Sequence, residues 1–96
     1  MCKKIIMEQI IALVAREADL SPEVILSSSR RPEIVDARYV AIYLMLRKGI
    51  PISRISEYMM MTERNVYHVR ERFDDRVAYG DPMIEHYYNS VLDALK

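Results

Sequence analysis

The sequence predicts an all-α fold, a helical bundle of about six helices, and three observations lead there. Only two glycines and four prolines occur in 96 residues, too few turn formers for a β protein with many tight turns. Apolar residues recur at three- and four-residue intervals in several separate segments. Start and stop signals stand between those segments, among them Ser21-Pro22-Glu23, Gly49 and Gly80-Asp81-Pro82. With 51% hydrophobic residues, the chain is expected to bury a core as one domain over residues 1–96.

The elements follow in order. From Lys3 to Ala18, the residues Ile6, Ile10, Leu13, Val14 and Ala18 form an apolar stripe, leaving Lys4, Glu8, Arg16 and Glu17 for water. Ser21 is placed as N-cap, Pro22 as first helical residue and Glu23 as first-turn acid of a short second helix carrying Val24, Ile25 and Leu26. Ser27 to Pro32 read as a polar, basic loop. A third helix is expected from about Glu33 to Lys48, with Val35 or Ile34, Ala37, Val40, Ala41, Leu44 and Met45 inward and Gly49 as its stop. A fourth covers Ile52 to Met59, with Ile52, Ile55 and Met59 inward. Met60-Met61 make a tight connection to a fifth helix, capped by Thr62 and reaching roughly Val77. There Val66, Val69, Phe73 and Val77 share one face, and Arg64, Tyr67, His68, Glu71 and Arg72 turn outward or sideways. Tyr79-Gly80-Asp81-Pro82 ends it, and a last helix carries Ile84, Tyr87 or Tyr88, Val91, Leu92 and Leu95.

Charge and composition narrow the function classes. The formal net charge is zero, but Ser27 to Arg72 holds nine basic residues against five acidic ones, between segments that are each net acidic. A basic middle is either an electrostatic footprint for nucleic acid or an ordinary solvated face. Cys2 is the only cysteine, which excludes an internal disulfide or a cysteine-rich zinc site and suits a reducing compartment. Glu8, Gln9, Arg16 and Glu17 interrupt any signal-peptide core, and no apolar run approaches a membrane span. A cytoplasmic protein with no membrane partner is expected. His68 and His86 are the only histidines, and with scattered acids they make no triad or metal cluster. Neither catalysis, nor a cofactor, nor a metal is expected.

The informative unit is the helix pair from Ile52 to Val77. A short helix, a turn of three or four residues and a longer helix with a polar outer face describe a helix-turn-helix. An α-helix fits the major groove of duplex DNA, and the preceding helix braces it against the backbone. Many helical bundles contain such corners, so the spacing alone leaves a purely structural corner open.

The residues resemble a family. The stretch from Ile6 to about Leu95 looks like the C-terminal DNA-binding domain (domain IV) of the bacterial replication initiator DnaA, a member of the Trp-repressor-like helix-turn-helix superfamily. The clearest match is Arg30-Arg31-Pro32-Glu33-Ile34-Val35-Asp36-Ala37-Arg38-Tyr39-Val40-Ala41-Ile42-Tyr43-Leu44, a basic loop followed by an arginine and an apolar helix. Val24-Ile25-Leu26-Ser27 and Ile52-Ser53-Arg54-Ile55-Ser56-Glu57-Tyr58-Met59 fall where the family places its neighbouring elements. In the signature region, Met60-Met61-Thr62-Glu63-Arg64-Asn65-Val66-Tyr67-His68, Val66 and His68 match and Thr62 can serve as N-cap for the family's aspartate. The family's glycine, arginine and first histidine are replaced by Met60, Met61 and Glu63, at positions that read bases in the family. The resemblance therefore implies the fold and the binding mode, but not recognition of the usual origin box.

The resemblance implies double-stranded DNA as partner, bound through Arg30, Arg31, Arg38, Thr62, Arg64, Asn65, Tyr67 and His68. Arg30 and Arg31 would contact phosphates or a minor groove, or stand as solvated loop residues. Arg38 would clamp phosphate, or pair with Asp36 or Glu33. Arg64 and Asn65 lie in the first turn after Thr62, where Arg can donate twice to guanine and Asn can pair with adenine. Tyr67 and His68 would touch backbone or bases, although a lone helical histidine is more often structural. No glycine-lysine phosphate loop is present for an ATPase. The expectation is a stand-alone replication- or transcription-related binder that competes at initiator sites, regulates a promoter, or serves a phage or mobile element, or else an excised domain of something longer. A homodimer and a replication or regulatory protein are the further partners to test. The alternative is a protein-interaction module on the same scaffold that has lost DNA binding, a reading that Met60, Met61, Glu63 and the neutral charge favour.

Overall fold

The structure, a computed structural model, describes residues 3–78, 80 and 82–94. Among them are six helices and no strand: α1 (Lys3–Ala18), α2 (Pro22–Ile25), α3 (Pro32–Arg47), α4 (Ile52–Met59), α5 (Glu63–Ala78) and α6 (Pro82–Ala94). Cys2, Tyr79, Asp81 and Leu95, and the side chains of Val77, Ile84, Tyr88, Val91 and Leu92, to which the sequence assigned roles, lie outside the described residues.

The centre of the bundle is α3, which packs against each of the other five helices. That position explains a burial pattern wider than one stripe. Ala37, Val40, Ala41, Leu44 and Met45 are inward as expected, but Ile42 and Tyr43 are buried as well. Between the two candidates at its start, Ile34 is buried and Val35 only partly so. A helix covered on nearly every side has no solvated face left to reveal its orientation. On α1 the buried set is Met7, Ile10, Ile11, Val14 and Ala15, while Ile6, Leu13 and Ala18 pack at its margin. The stripe is rotated from the expected one because α1 is covered by α2, α3 and α6 together.

Three helices end in the same way. After α1, α3 and α4 the residues Asp19, Gly49 and Met60 take φ of 58°, 82° and 56°, in the left-handed region. The amide following each reaches back five residues: Leu20 to the Ala15 carbonyl, Ile50 to Met45 and Met61 to Ser56, at 2.8, 3.1 and 2.9 Å. This is the Schellman closure, which satisfies the last carbonyls and turns the next side chain inward. Leu20, Ile50 and Met61 all pack against the core accordingly. Only Gly49 is a residue type that adopts this backbone without strain. Helix starts follow the anticipated chemistry. Ser21 Oγ accepts from the Val24 amide at 3.3 Å, and Thr62 Oγ1 accepts from the Asn65 amide at 3.1 Å.

A brace between α3 and α5 fixes the direction of α5. The Tyr43 ring stacks on Phe73 with centroids 5.6 Å apart and planes at 26°. Its hydroxyl donates to Asp74 Oδ1 at 3.4 Å and accepts from Arg47 Nη1 at 3.3 Å. Burial pushes the Tyr43 phenol above the ordinary tyrosine value, against the pull of the Arg47 charge. Tyr58 on α4 and Tyr87 on α6 are raised for the same first reason, with the carboxylates of Glu8 and of Glu17 and Asp36 adding to it.

Met60→Gly relieves the left-handed strain on a side chain while loosening the unfolded chain, so the net expectation is a gain of roughly 0.5–1 kcal/mol. Gly49→Ala should cost about 1 kcal/mol by the converse argument. Urea midpoints of the two variants check both signs. The folded pKa of all three phenols is raised, so their share of stability is complete below the unfolded tyrosine value of about 10. It is lost as pH climbs through the folded values. An alkaline series of urea midpoints should fall above that pH and fall less steeply in Tyr43→Phe.

Candidate nucleic-acid interface

The fold brings two arginine-bearing segments to one region: the basic loop between α2 and α3, and the outer face of α5, whose arginines are balanced by acids elsewhere on the helix. Serines shape the loop. Ser27 Oγ donates to the Val24 carbonyl at 2.6 Å, and the hydroxyls of Ser27 and Ser29 accept from the amides of Ser29 and Arg31 at 3.3 and 3.4 Å. The loop is then tied to α3 by Arg38. Its Nε donates to the Ile25 carbonyl at 2.8 Å, and its Nη2 donates to the carbonyls of Ser27 and Ser29, the latter at 3.1 Å. Three of the five guanidinium donors are used this way, leaving the two on Nη1. Among the described residues Arg38 therefore holds backbone rather than either carboxylate weighed for it. Glu33 pairs instead with Arg31, at 2.8 Å and on the surface.

Arg31 occupies the N-cap of α3 without making a side-chain cap, and Pro32 takes the first helical position, where a missing N–H costs nothing. Arg30 is exposed and lines a cleft of about 480 Å³ with Tyr39 of α3 and Arg72 of α5. Arg72 was assigned only an outward position by the sequence; its place across the cleft from Arg30 depends on α5 packing on α3. The four-residue spacing of Arg64, His68 and Arg72 was the available signal.

On α5 the inward side is Val66, Val69 and Phe73, all buried. Their burial leaves Arg64, Asn65, Tyr67, His68 and Arg72 exposed, as the periodicity indicated, with Tyr67 at 49%. Thr62 is committed to capping through Oγ1. His68 Nδ1 lies 3.8 Å from Glu71 Oε2, one turn along the same exposed face. Among the described residues, no ion pair within 4 Å engages Arg30, Arg64 or Arg72, although Asp36 also lines the cleft that Arg30 and Arg72 share. Guanidinium groups on a helix and a facing loop, not engaged in ion pairs, can bind an extended polyanion such as a phosphate backbone.

Residues 7–70, two thirds of the chain, match the family model described as the bacterial DnaA protein helix-turn-helix. The chain belongs to this family. The match runs from α1 through the first half of α5, and α6 lies beyond it. A search of curated proteins returned no match. The family is a DNA-binding helix-turn-helix domain and not a class of enzyme, so α4, the elbow at Met60-Met61 and α5 are the helix-turn-helix of this chain. Among the described residues no helix is long and apolar enough to cross a membrane, and no group of three or more His, Cys, Asp or Glu residues could hold a metal ion.

The geometry makes Arg38 testable without any ligand. Arg38→Ala orphans the carbonyls of Ile25, Ser27 and Ser29 and should cost about 1–3 kcal/mol. Amide exchange in residues 26–31 should accelerate well beyond that of α5. Arg38→Lys should recover little, because one ammonium cannot reproduce the planar fork.

Proposed function

We propose that the chain is a sequence-selective binder of double-stranded DNA, its 96 residues acting as one unit with α5 lying in the major groove. The observation that carries this reading is the pairing of exposed arginines on α5, which make no ion pair among the described residues, with a basic loop that meets them across one cleft and is tied to α3 by Arg38. The family membership supports it.

The roles divide by chemistry. Arg30, Arg31 and Arg72 contact phosphates and supply most of the affinity. Arg38 acts chiefly by positioning the loop, with its Nη1 donors available to a phosphate oxygen. Thr62 starts the recognition helix. Arg64 and Asn65 in its first turn meet base edges, where a bidentate arginine reads guanine and a bidentate asparagine reads adenine. Tyr67 and His68, farther along the exposed face, contact the flanking backbone. With Met60, Met61 and Glu63 in the signature region, the recognised sequence differs from that of the initiator's usual origin box. Such a protein serves by occupying a site in replication or transcription control, from the cytoplasm and without chemistry of its own.

Gel-shift titration against a random duplex pool at low salt should show binding that weakens steeply as salt is raised. Arg30→Ala should weaken binding uniformly across sequences and reduce the salt slope by about one. Arg64→Ala should instead relax preference at one base pair by roughly 1–3 kcal/mol. Equal effects of the two substitutions on every sequence would contradict the division. Salt-insensitive or absent binding, together with a stable protein partner in pull-down, would favour the interaction-module alternative.

A further inference from the structure

One acid stands inside the cleft that carries the arginines. Between Ser27 and Arg72 there are five acidic residues. Glu33 is paired with Arg31, Glu71 lies beside His68, and Glu63 occupies the first turn of α5, where the helix dipole favours a negative charge. Glu57 is exposed on α4, and none of these four lines the cleft between α3 and α5. Asp36 does, together with Arg30, Tyr39 and Arg72. It is exposed, and among the described residues it makes neither an ion pair nor a hydrogen bond.

Packing fixes its place. Ala37 and Val40 are buried on the inner side of α3, which leaves Asp36 facing the cleft. Tyr87 of α6 packs against the core within reach of its charge. That phenol is raised by burial first, and then by the carboxylates of Glu17 and Asp36. A carboxylate held apart from both guanidinium groups neutralises neither by contact. It acts through space, so an anion drawn in by Arg30 and Arg72 is repelled by Asp36. Water and salt screen an exposed side chain, which limits the repulsion to about a two- to fourfold effect on binding at low salt.

We propose that Asp36 is an affinity-limiting residue of the DNA-binding surface, opposing the phosphate held between Arg30 and Arg72. This rests on the duplex-binding reading above. Repulsion of a phosphate is blind to sequence, so Asp36 lowers affinity for every duplex by the same factor. Discrimination is left to α5, and the protein leaves non-specific DNA more readily.

The test is a gel-shift titration of the full chain against a selected duplex and a scrambled one. Asp36→Asn keeps the side-chain shape and removes the charge. It should bind both duplexes about two- to fourfold more tightly at low salt, and the gain should shrink as salt is raised. Glu8→Gln, which removes the same charge from α1, should leave binding unchanged. The gain should persist in Arg30→Ala and in Arg72→Ala, because one arginine still holds the phosphate there. Loss of the gain in one of those backgrounds assigns Asp36 to a pair with that arginine and overturns the proposal. An equal gain in Glu8→Gln contradicts it by showing that net charge alone matters. A gain that ignores salt, or that is confined to one duplex, replaces it with a structural change or a direct base contact. Equal or weaker binding by Asp36→Asn also refutes it, and leaves duplex binding standing where the wild type binds with salt sensitivity. Absence of binding by both proteins removes both readings.

Discussion

A loop made of serines and arginines has almost no apolar surface to bury, so hydrophobic collapse cannot place it. In this protein the placement depends on one guanidinium. Arg38 projects from α3, the helix that touches all five others, and donates to the carbonyls of Ile25, Ser27 and Ser29. The end of α2 and the start of the loop are thereby fixed to the most buried element of the fold. Arg30 and Arg31 follow within two residues of the last of these bonds. Their position relative to α5 is a consequence of where Arg38 stands, and a charge-assisted bond is strong enough to hold it.

The same central helix sets the other half of the surface. Tyr43, stacked on Phe73 and hydrogen-bonded to Asp74, holds α5 along α3. Val66 and Val69 pin its first two turns to the core, which forces Arg64, Tyr67 and His68 outward. The elbow that launches α5 is closed by Met60 in a conformation that glycine would take more easily. The protein thus keeps an exposed thioether at the edge of its basic surface at some cost in stability.

What was legible in the sequence was whatever short-range patterns determine. Ser21 and Thr62 cap helices because a hydroxyl before a helical run has few better partners, and Gly49 stops α3 for a similarly local reason. The outer face of α5 was readable because it has one solvated side, and the family resemblance rested on the Arg30 to Leu44 stretch that now forms the loop and α3. What escaped depended on tertiary context. Ile42 and Tyr43 gave no sign of burial, since a helix covered on nearly every side carries little periodic contrast. The partners of Arg38 are backbone carbonyls, which no side-chain pattern reports, so Asp36 and Glu33 looked like the natural alternatives. Arg72 reaches the cleft beside Arg30 only because the Tyr43–Phe73 contact sets the path of α5. That Met60 rather than a small residue takes the left-handed turn is visible only in the backbone.

The central claim is that the α2–α3 loop and the exposed face of α5 form one DNA-binding surface. Titrating the isotopically labelled chain with a selected duplex and following its backbone amide resonances tests this most directly. The account predicts shifts concentrated in residues 27–31 and 60–72, with the solvent-facing residues of α1 unmoved. Shifts centred on α1, or a loop that stays silent while α5 responds, would contradict it.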